Sequence, residues 1–329
     1  GYQEEVPWPS LADSPWPMSQ GDPQNTGRSK NIGPSSMNIK WTFDAEFGLL
    51  SGPVIGEQSN LYFGTDVNKP IFYSLDPLGK SLNWISNTGN LFRLSSGLIV
   101  AENNNVIVSD YENLYMISDS GKIVWEFNLP EPMYHGNLNI TKNSIVLLTG
   151  FNSNQLYAIK LNEGLIFHTD VPEGFYAGTA ISPNGENIYI NGRDENLYCL
   201  SLEGQIKWKY KTGQSTSSPL VASDGSIYII EHTGYSSVKR ISKEQNLIWE
   251  FRFTGFHKET YKNAGQPTLD EQGNFYFWGF DSIASTDAVK SLDHSGNLRW
   301  IYPLEDTEKG YIAAQIVCDA EGRIFFGFD

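Results

Sequence analysis

Large aromatic residues recur along this chain at a nearly constant interval: Trp41, Trp84, Trp125, Phe167, Trp208, Trp249 and Trp300. The spacing is 41 to 43 residues and widens to 51 only at the last step. A period in the forties restricts the chain to stacked units, either propeller blades or paired-helix arrays. The residues between the aromatics decide which. They form short alternating runs split by turn residues, the pattern of strands.

One unit reads clearly from Lys207 to Ile248. Lys207-Trp208-Lys209-Tyr210 is a strand, and Ser218-Pro219-Leu220-Val221-Ala222 is a second strand of small residues. Asp224-Gly225 turns into Ser226-Ile227-Tyr228-Ile229-Ile230, and Val238-Lys239-Arg240-Ile241 precedes Trp249. Four strands per unit make a propeller blade. Leu114-Tyr115-Met116-Ile117, Leu156-Tyr157-Ala158-Ile159 and Leu197-Tyr198-Cys199-Leu200 repeat the strand that leads, through Gly121 and Gly204, to the next tryptophan.

This Leu-Tyr-x-Leu-x-x-x-Gly-x-x-x-Trp signature resembles the PQQ repeat of quinoprotein dehydrogenases and of outer-membrane assembly lipoprotein propellers, over residues 36–329. The resemblance implies an all-β, seven-bladed β-propeller of four-stranded antiparallel blades. It also implies that the periodic aromatics are buried between neighbouring blades. Seven tryptophan-type, seven small-residue and seven following strands are expected, but six Leu-Tyr strands. The family's logic closes the ring with Met37–Phe43 as the outer strand of the blade begun by Ala313–Phe328. That blade then lacks one strand, or the native chain continues. Residues 1–35, which include Trp16-Pro17-Met18 and Pro23-Gln24-Asn25-Thr26-Gly27, are too rich in Pro and Gly for a helix and are expected to form an ordered strap.

The formal net charge of −15 repels phosphate backbones, which argues against nucleic acid as a partner. No apolar run is long enough to span a bilayer directly. The opening Gly1 reads as a processing scar, so an export signal or anchor is expected to have been removed, placing the protein outside the cell, in the periplasm or on the cell surface. Cys199 and Cys318 fall where other units place Ser, Ala or Gly, which predicts two separate buried thiols.

Quinoprotein dehydrogenases hold a quinone and calcium with carboxylates, an Asn and often adjacent cysteines. Those residues do not map onto this chain, so no cofactor, metal or catalytic residue is assigned. The five histidines show no metal-ligand spacing. The acidic turns Asp110-Tyr111-Glu112-Asn113 and Arg193-Asp194-Glu195-Asn196 are read first as hairpin turns and only second as cation loops. The loops ahead of the small-residue strands are richer. They carry Phe47, Phe92, Arg93, Tyr134, His135, Phe175, Tyr176, His257, Tyr261 and Tyr311. In a propeller such loops surround one mouth of the central channel, where aromatics grip peptides or stack on sugars. The expectation is a monomeric, non-catalytic recognition or scaffold propeller that binds protein or glycan. The alternative is a divergent quinoprotein-like enzyme with its site in the channel.

Overall fold

The computed structural model describes residues 2–36, 38–45, 48–49, 52–65, 71–79, 81–87, 97–134, 136–151, 153–232, 235–253, 265–283, 285–304 and 315–327. They fall into two compact units.

The first unit comprises Trp8–Asp22 and Pro34–Asp170. It holds three four-stranded antiparallel sheets. Sheet one is β1 (Val54–Ile55), β2 (Leu61–Gly64), β3 (Ile71–Leu75) and β4 (Leu82–Asn87). Sheet two is β5 (Ile99–Val100), β6 (Val106–Ser109), β7 (Asn113–Ile117) and β8 (Ile123–Asn128). Sheet three is β9 (Asn137–Ile140), β10 (Ile145–Thr149), β11 (Gln155–Lys160) and β12 (Gly164–Asp170).

The second unit comprises Gly1–Pro7, Pro23–Gly33 and Val171–Asp329. Sheet four is β13 (Ala180–Ile181), β14 (Ile188–Asn191), β15 (Asn196–Leu200) and β16 (Ile206–Lys211). Sheet five is β17 (Leu220–Val221), β18 (Ile227–His232), β19 (Ser236–Ile241) and β20 (Leu247–Phe253). Sheet six is β21 (Thr268–Leu269), β22 (Phe275–Asp281), β23 (Thr286–Leu292) and β24 (Leu298–Pro303). Sheet seven has two strands, β25 (Val317–Cys318) and β26 (Ile324–Phe325). Residues 38–43, where an outer strand was expected, are not in a strand, and Met37 lies outside the described residues.

The second and third strands form the core. Val106, Ile107, Val108, Leu114 and Ile117 in sheet two are fully buried, as are Ile227, Val238 and Ile241 in sheet five. Runs of β-branched and aromatic residues, buried on both faces, explain why these strands read as continuous apolar segments. Each fourth strand then carries the same irregularity. The pairing slips just after Ser74↔Trp84, Met116↔Trp125, Ala158↔Phe167, Cys199↔Trp208, Arg240↔Trp249 and Ser291↔Trp300. A bulge at the same place in six sheets bends the fourth strand and re-aims the indole.

The periodic aromatics are half-buried, not buried as expected, and Trp41 is 37% exposed. The packing explains the Gly-x-x-x-Trp spacing. Gly79, Gly121 and Gly296 each belong to the tryptophan of the preceding repeat. Gly121, at φ +81, lies so close to Trp84 that a Cβ would stand 2.8 Å from the indole, and Gly296, at φ +85, meets Trp249 at 2.6 Å. The same turns accept the indole N–H groups: Trp84 Nε1 donates to the Asp119 carbonyl at 2.7 Å and Trp249 Nε1 to that of His294 at 3.1 Å. Only glycine combines a left-handed turn with that approach.

Candidate functional site

The acidic turns bind their own strands, through both carboxylate oxygens at Asp110 and through Oδ2 alone at Asp194, whose Oδ1 is buried without a hydrogen-bond partner among the described residues. Asp110 is fully buried; its carboxylate accepts the backbone N–H groups of Glu112 and Asn113 and, at 2.9 Å, the hydroxyl of Tyr115. Asp194 takes the Tyr198 hydroxyl at 2.5 Å and the Asn196 side-chain amide at 2.8 Å. Burial and the neighbouring carboxylate both hold these phenols protonated, with pKa values pushed well up. The turns therefore use their carboxylates to cap a strand tyrosine.

The aromatic loops divide by unit. In the first, Tyr134 is 50% exposed and meets Tyr111 edge-to-face at 4.4 Å. The hydrogen bond with Tyr134, reinforced by burial, raises the Tyr111 pKa to about 12. Backbone bonds fix the loop: Met133 N–H donates to the Tyr111 carbonyl and Phe151 N–H to that of Tyr134, both at 2.8 Å. Phe151 itself is 48% exposed.

In the second unit Phe175 is buried, contrary to its expected place on an open face. Its backbone forms an antiparallel bridge to Gly192. Tyr176 stays half-buried, with the Arg193 guanidinium over its ring at 4.4 Å. Arg193 is held in turn by an Nε–H bond to the Phe175 carbonyl at 2.9 Å. Gln214 donates from Nε2 to the Tyr176 hydroxyl at 3.3 Å and exchanges backbone hydrogen bonds with His232. Burial lowers the His232 pKa to about 4, against the pull of Glu231, so the ring is neutral near pH 7 and shares a 2.7 Å hydrogen bond with Ser236. The buried Glu231 carboxylate pairs with Lys239 at 2.5 Å and accepts the Gly213 N–H at 2.8 Å.

Phe47, Phe92, Arg93, His135, His257, Tyr261 and Tyr311 lie outside the described residues. Reasoning from sequence missed Phe151, Tyr235 and Ile283, exposed by 48%, 40% and 93%. They occupy, in sheets three, five and six, the turn that Asp110 and Asp194 occupy in sheets two and four. The available signal was a bulky side chain at that turn in unit after unit. Cys199 and Cys318 are buried free thiols, and burial raises their pKa values to about 11 and about 12.

The N-terminal segment forms a third feature. In the first unit, the carbonyls of Trp16 and Pro17 accept the backbone N–H groups of Ile55 and Val100 at 2.8 and 2.6 Å. In the second, the carbonyls of Pro23, Gln24, Thr26 and Gly27 accept those of Ile181, Val221, Leu269 and Cys318 at 2.8–2.9 Å. Every donor is the second residue of a first strand. Asn25 adds side-chain bonds to the Thr179 and Pro219 carbonyls, both at 2.9 Å.

Residues 39–265 match the family model described as outer membrane protein assembly factor BamB. Among solved structures, BamB from Moraxella catarrhalis is similar with a TM-score of 0.64 and 15% identity, covering 87% of each chain. A europium-containing methanol dehydrogenase has a TM-score of 0.72 and 12% identity over 96% of this chain and 82% of its own. Virginiamycin B lyase from Staphylococcus aureus has a TM-score of 0.61 and 14% identity over 87% and 93%. No curated protein matches by sequence. At these identities the structural likenesses establish a shared β-propeller fold and no shared activity. The family match, which spans more than half of the chain and the repeats that organise it, is of a different kind: this chain belongs to the BamB family of PQQ-repeat propellers.

Proposed function

We propose that this chain is a seven-bladed, closed propeller, preceded by the strap of residues 1–35, that works as a non-catalytic scaffold in the cell envelope. It recognises a polypeptide and helps assemble proteins there, as the name of its family describes. The observation that carries the reading is the group of Tyr176, Arg193 and Gln214. An aromatic ring is left half-open, a guanidinium is stacked on it, and an amide reaches its hydroxyl. Tyrosine and arginine are the residues that most often anchor protein interfaces. Tyr134, in the equivalent loop of sheet three, supplies a second open ring beside Tyr111.

The test is the double substitution Tyr134→Ala with Tyr176→Ala. The probe is an unfolded outer-membrane β-barrel polypeptide diluted from urea, with envelope glycans as a parallel arm. Affinity for the polypeptide is expected to fall at least thirtyfold, about 2 kcal/mol, while the thermal midpoint stays within the range of surface changes. Unchanged affinity sinks the site. Binding in the glycan arm alone reassigns the ligand. The likeness to methanol dehydrogenase favours a second reading, a divergent quinoprotein-like enzyme. Quinone-dependent dye reduction with calcium and an alcohol would establish it.

A further inference from the structure

The hydrogen bonds between the N-terminal segment and the sheets of the second unit follow a rule. The accepting carbonyls of Pro23, Gln24, Thr26 and Gly27 advance one or two residues at a time, and the donating N–H moves by one sheet at each step, from β13 to β17, β21 and β25. In each sheet an equivalent residue, the second of the first strand, donates its N–H to the segment, and in sheet seven the Cys318 carbonyl also accepts the Ser29 N–H at 2.8 Å. The segment is read through its main-chain carbonyls, as peptides are read at exposed sheet edges.

Two residues give this reading its sequence preference. Asn25, at φ +60, spans two sheets with one side-chain amide, donating to the Thr179 and Pro219 carbonyls. Gly27, at φ +64, passes so close to Thr268 that a Cβ would stand 2.9 Å from its hydroxyl oxygen. Thr268 Oγ1 lies within hydrogen-bond distance of the Thr26 and Gly27 carbonyls. Beyond this the chain continues through Lys30, Asn31 and Ile32, and through Pro34, Ser35 and Ser36, all exposed. Between them Gly33 is tied to Asp319 and Arg323. The contacts thus consist of a compact peptide sequence on one side and a row of strand amides on the other, joined by an exposed connector.

We propose that the amides of Ile181, Val221, Leu269 and Cys318 form a binding site for a Pro-x-Asn-x-Gly peptide that turns at its Asn and Gly, filled in cis by residues 23–27 and able to take the same sequence in trans. The tether keeps the cis segment at a high effective concentration, which is why the site is occupied in the intact chain. This proposal does not depend on the aromatic loops.

The experiment uses the full chain with a protease site inserted between Ser35 and Ser36. After cleavage, a fluorescent peptide of residues 1–35 is added in excess and followed by anisotropy and co-elution with the protein. Exchange into the cleaved protein is expected, and much less into the uncut one. Unlabelled peptide carrying Asn25→Ala or Gly27→Ala is expected to compete at least tenfold more weakly than the natural sequence, and one carrying Lys30→Ala within twofold of it. The proposal is overturned if the cleaved protein loses its cooperative thermal transition, because the segment is then part of the core and not an occupant. It is equally overturned if the folded, cleaved protein never takes up peptide, or if the Asn25→Ala peptide competes as well as the natural one.

Discussion

The first and fourth strands of each sheet face the same problem, an edge with unpaired backbone groups, and solve it in opposite ways. Six first strands are only two residues long, and in each the second residue donates its N–H to the N-terminal segment. Their edge is covered. The fourth strands run to six or seven residues and leave apolar side chains in the open: Ile85, Val124, Ile166 and Ile248 are about half exposed. Their edge is protected by bulges and by the indole packed over a neighbouring turn, two features that discourage edge-to-edge pairing. The comparison shows where stability concentrates. Side chains of the second strands, beside the covered edge, are mostly enclosed, whereas most of those on the fourth strands are half-buried or exposed.

The sharpest test compares Tyr228 with Trp249, which touch edge-to-face at 5.7 Å. Tyr228 is 1% exposed and stacks on Phe275, whereas Trp249 is half-buried. Tyr228→Ala is expected to cost about 3–5 kcal/mol by denaturant unfolding, and Trp249→Ala about 2 kcal/mol despite the larger ring. Equal losses would break the comparison. The Tyr228 hydroxyl is buried with no hydrogen-bond partner among the described residues, so Tyr228→Phe should be neutral or stabilise by about 1 kcal/mol.

A smaller effect is expected from pH. His232, at the end of β18, has a folded-state pKa near 4, below the ordinary value of 6.5. Between those values the unfolded chain binds the proton and the folded chain does not. Stability therefore rises with pH across that window, and what is present above it is lost as pH falls towards the folded value. The loss attributable to this group is about 2–3 kcal/mol. His232→Gln should flatten that part of the stability–pH profile, and an unchanged slope would show that the ring is not the source. At the small end, Ile248→Thr on the open face of β20 should move the unfolding free energy by no more than about 0.5 kcal/mol. A larger loss would mean that something covers that face.

Much of this was legible in the residues. The aromatic period, the Gly-x-x-x-Trp spacing and the Leu-Tyr strands specify sheets of four antiparallel strands, because strand alternation and turn chemistry act over a few residues. The hairpin turns at Asp110 and Asp194 were legible for the same reason. The aromatic loops were not. Tyr134, Phe175 and Tyr176 occupy alike positions in sequence, yet Phe175, bridged to Gly192, is buried while Tyr134 stays open. That difference depends on which residue lies across from each ring, and the partner comes from another hairpin.

The sequence by itself determined the strand pattern, its period and the small or turning residues that make the pattern possible. Tertiary structure decided the rest. It paired Gly79, Gly121 and Gly296 with the tryptophan of the preceding repeat, left the indoles half-covered, and placed residues 23–27 on a row of amides from β13 to β25. The reason is physical: local propensities choose a backbone shape, but burial and the satisfaction of a peptide N–H are settled only by what the fold brings alongside.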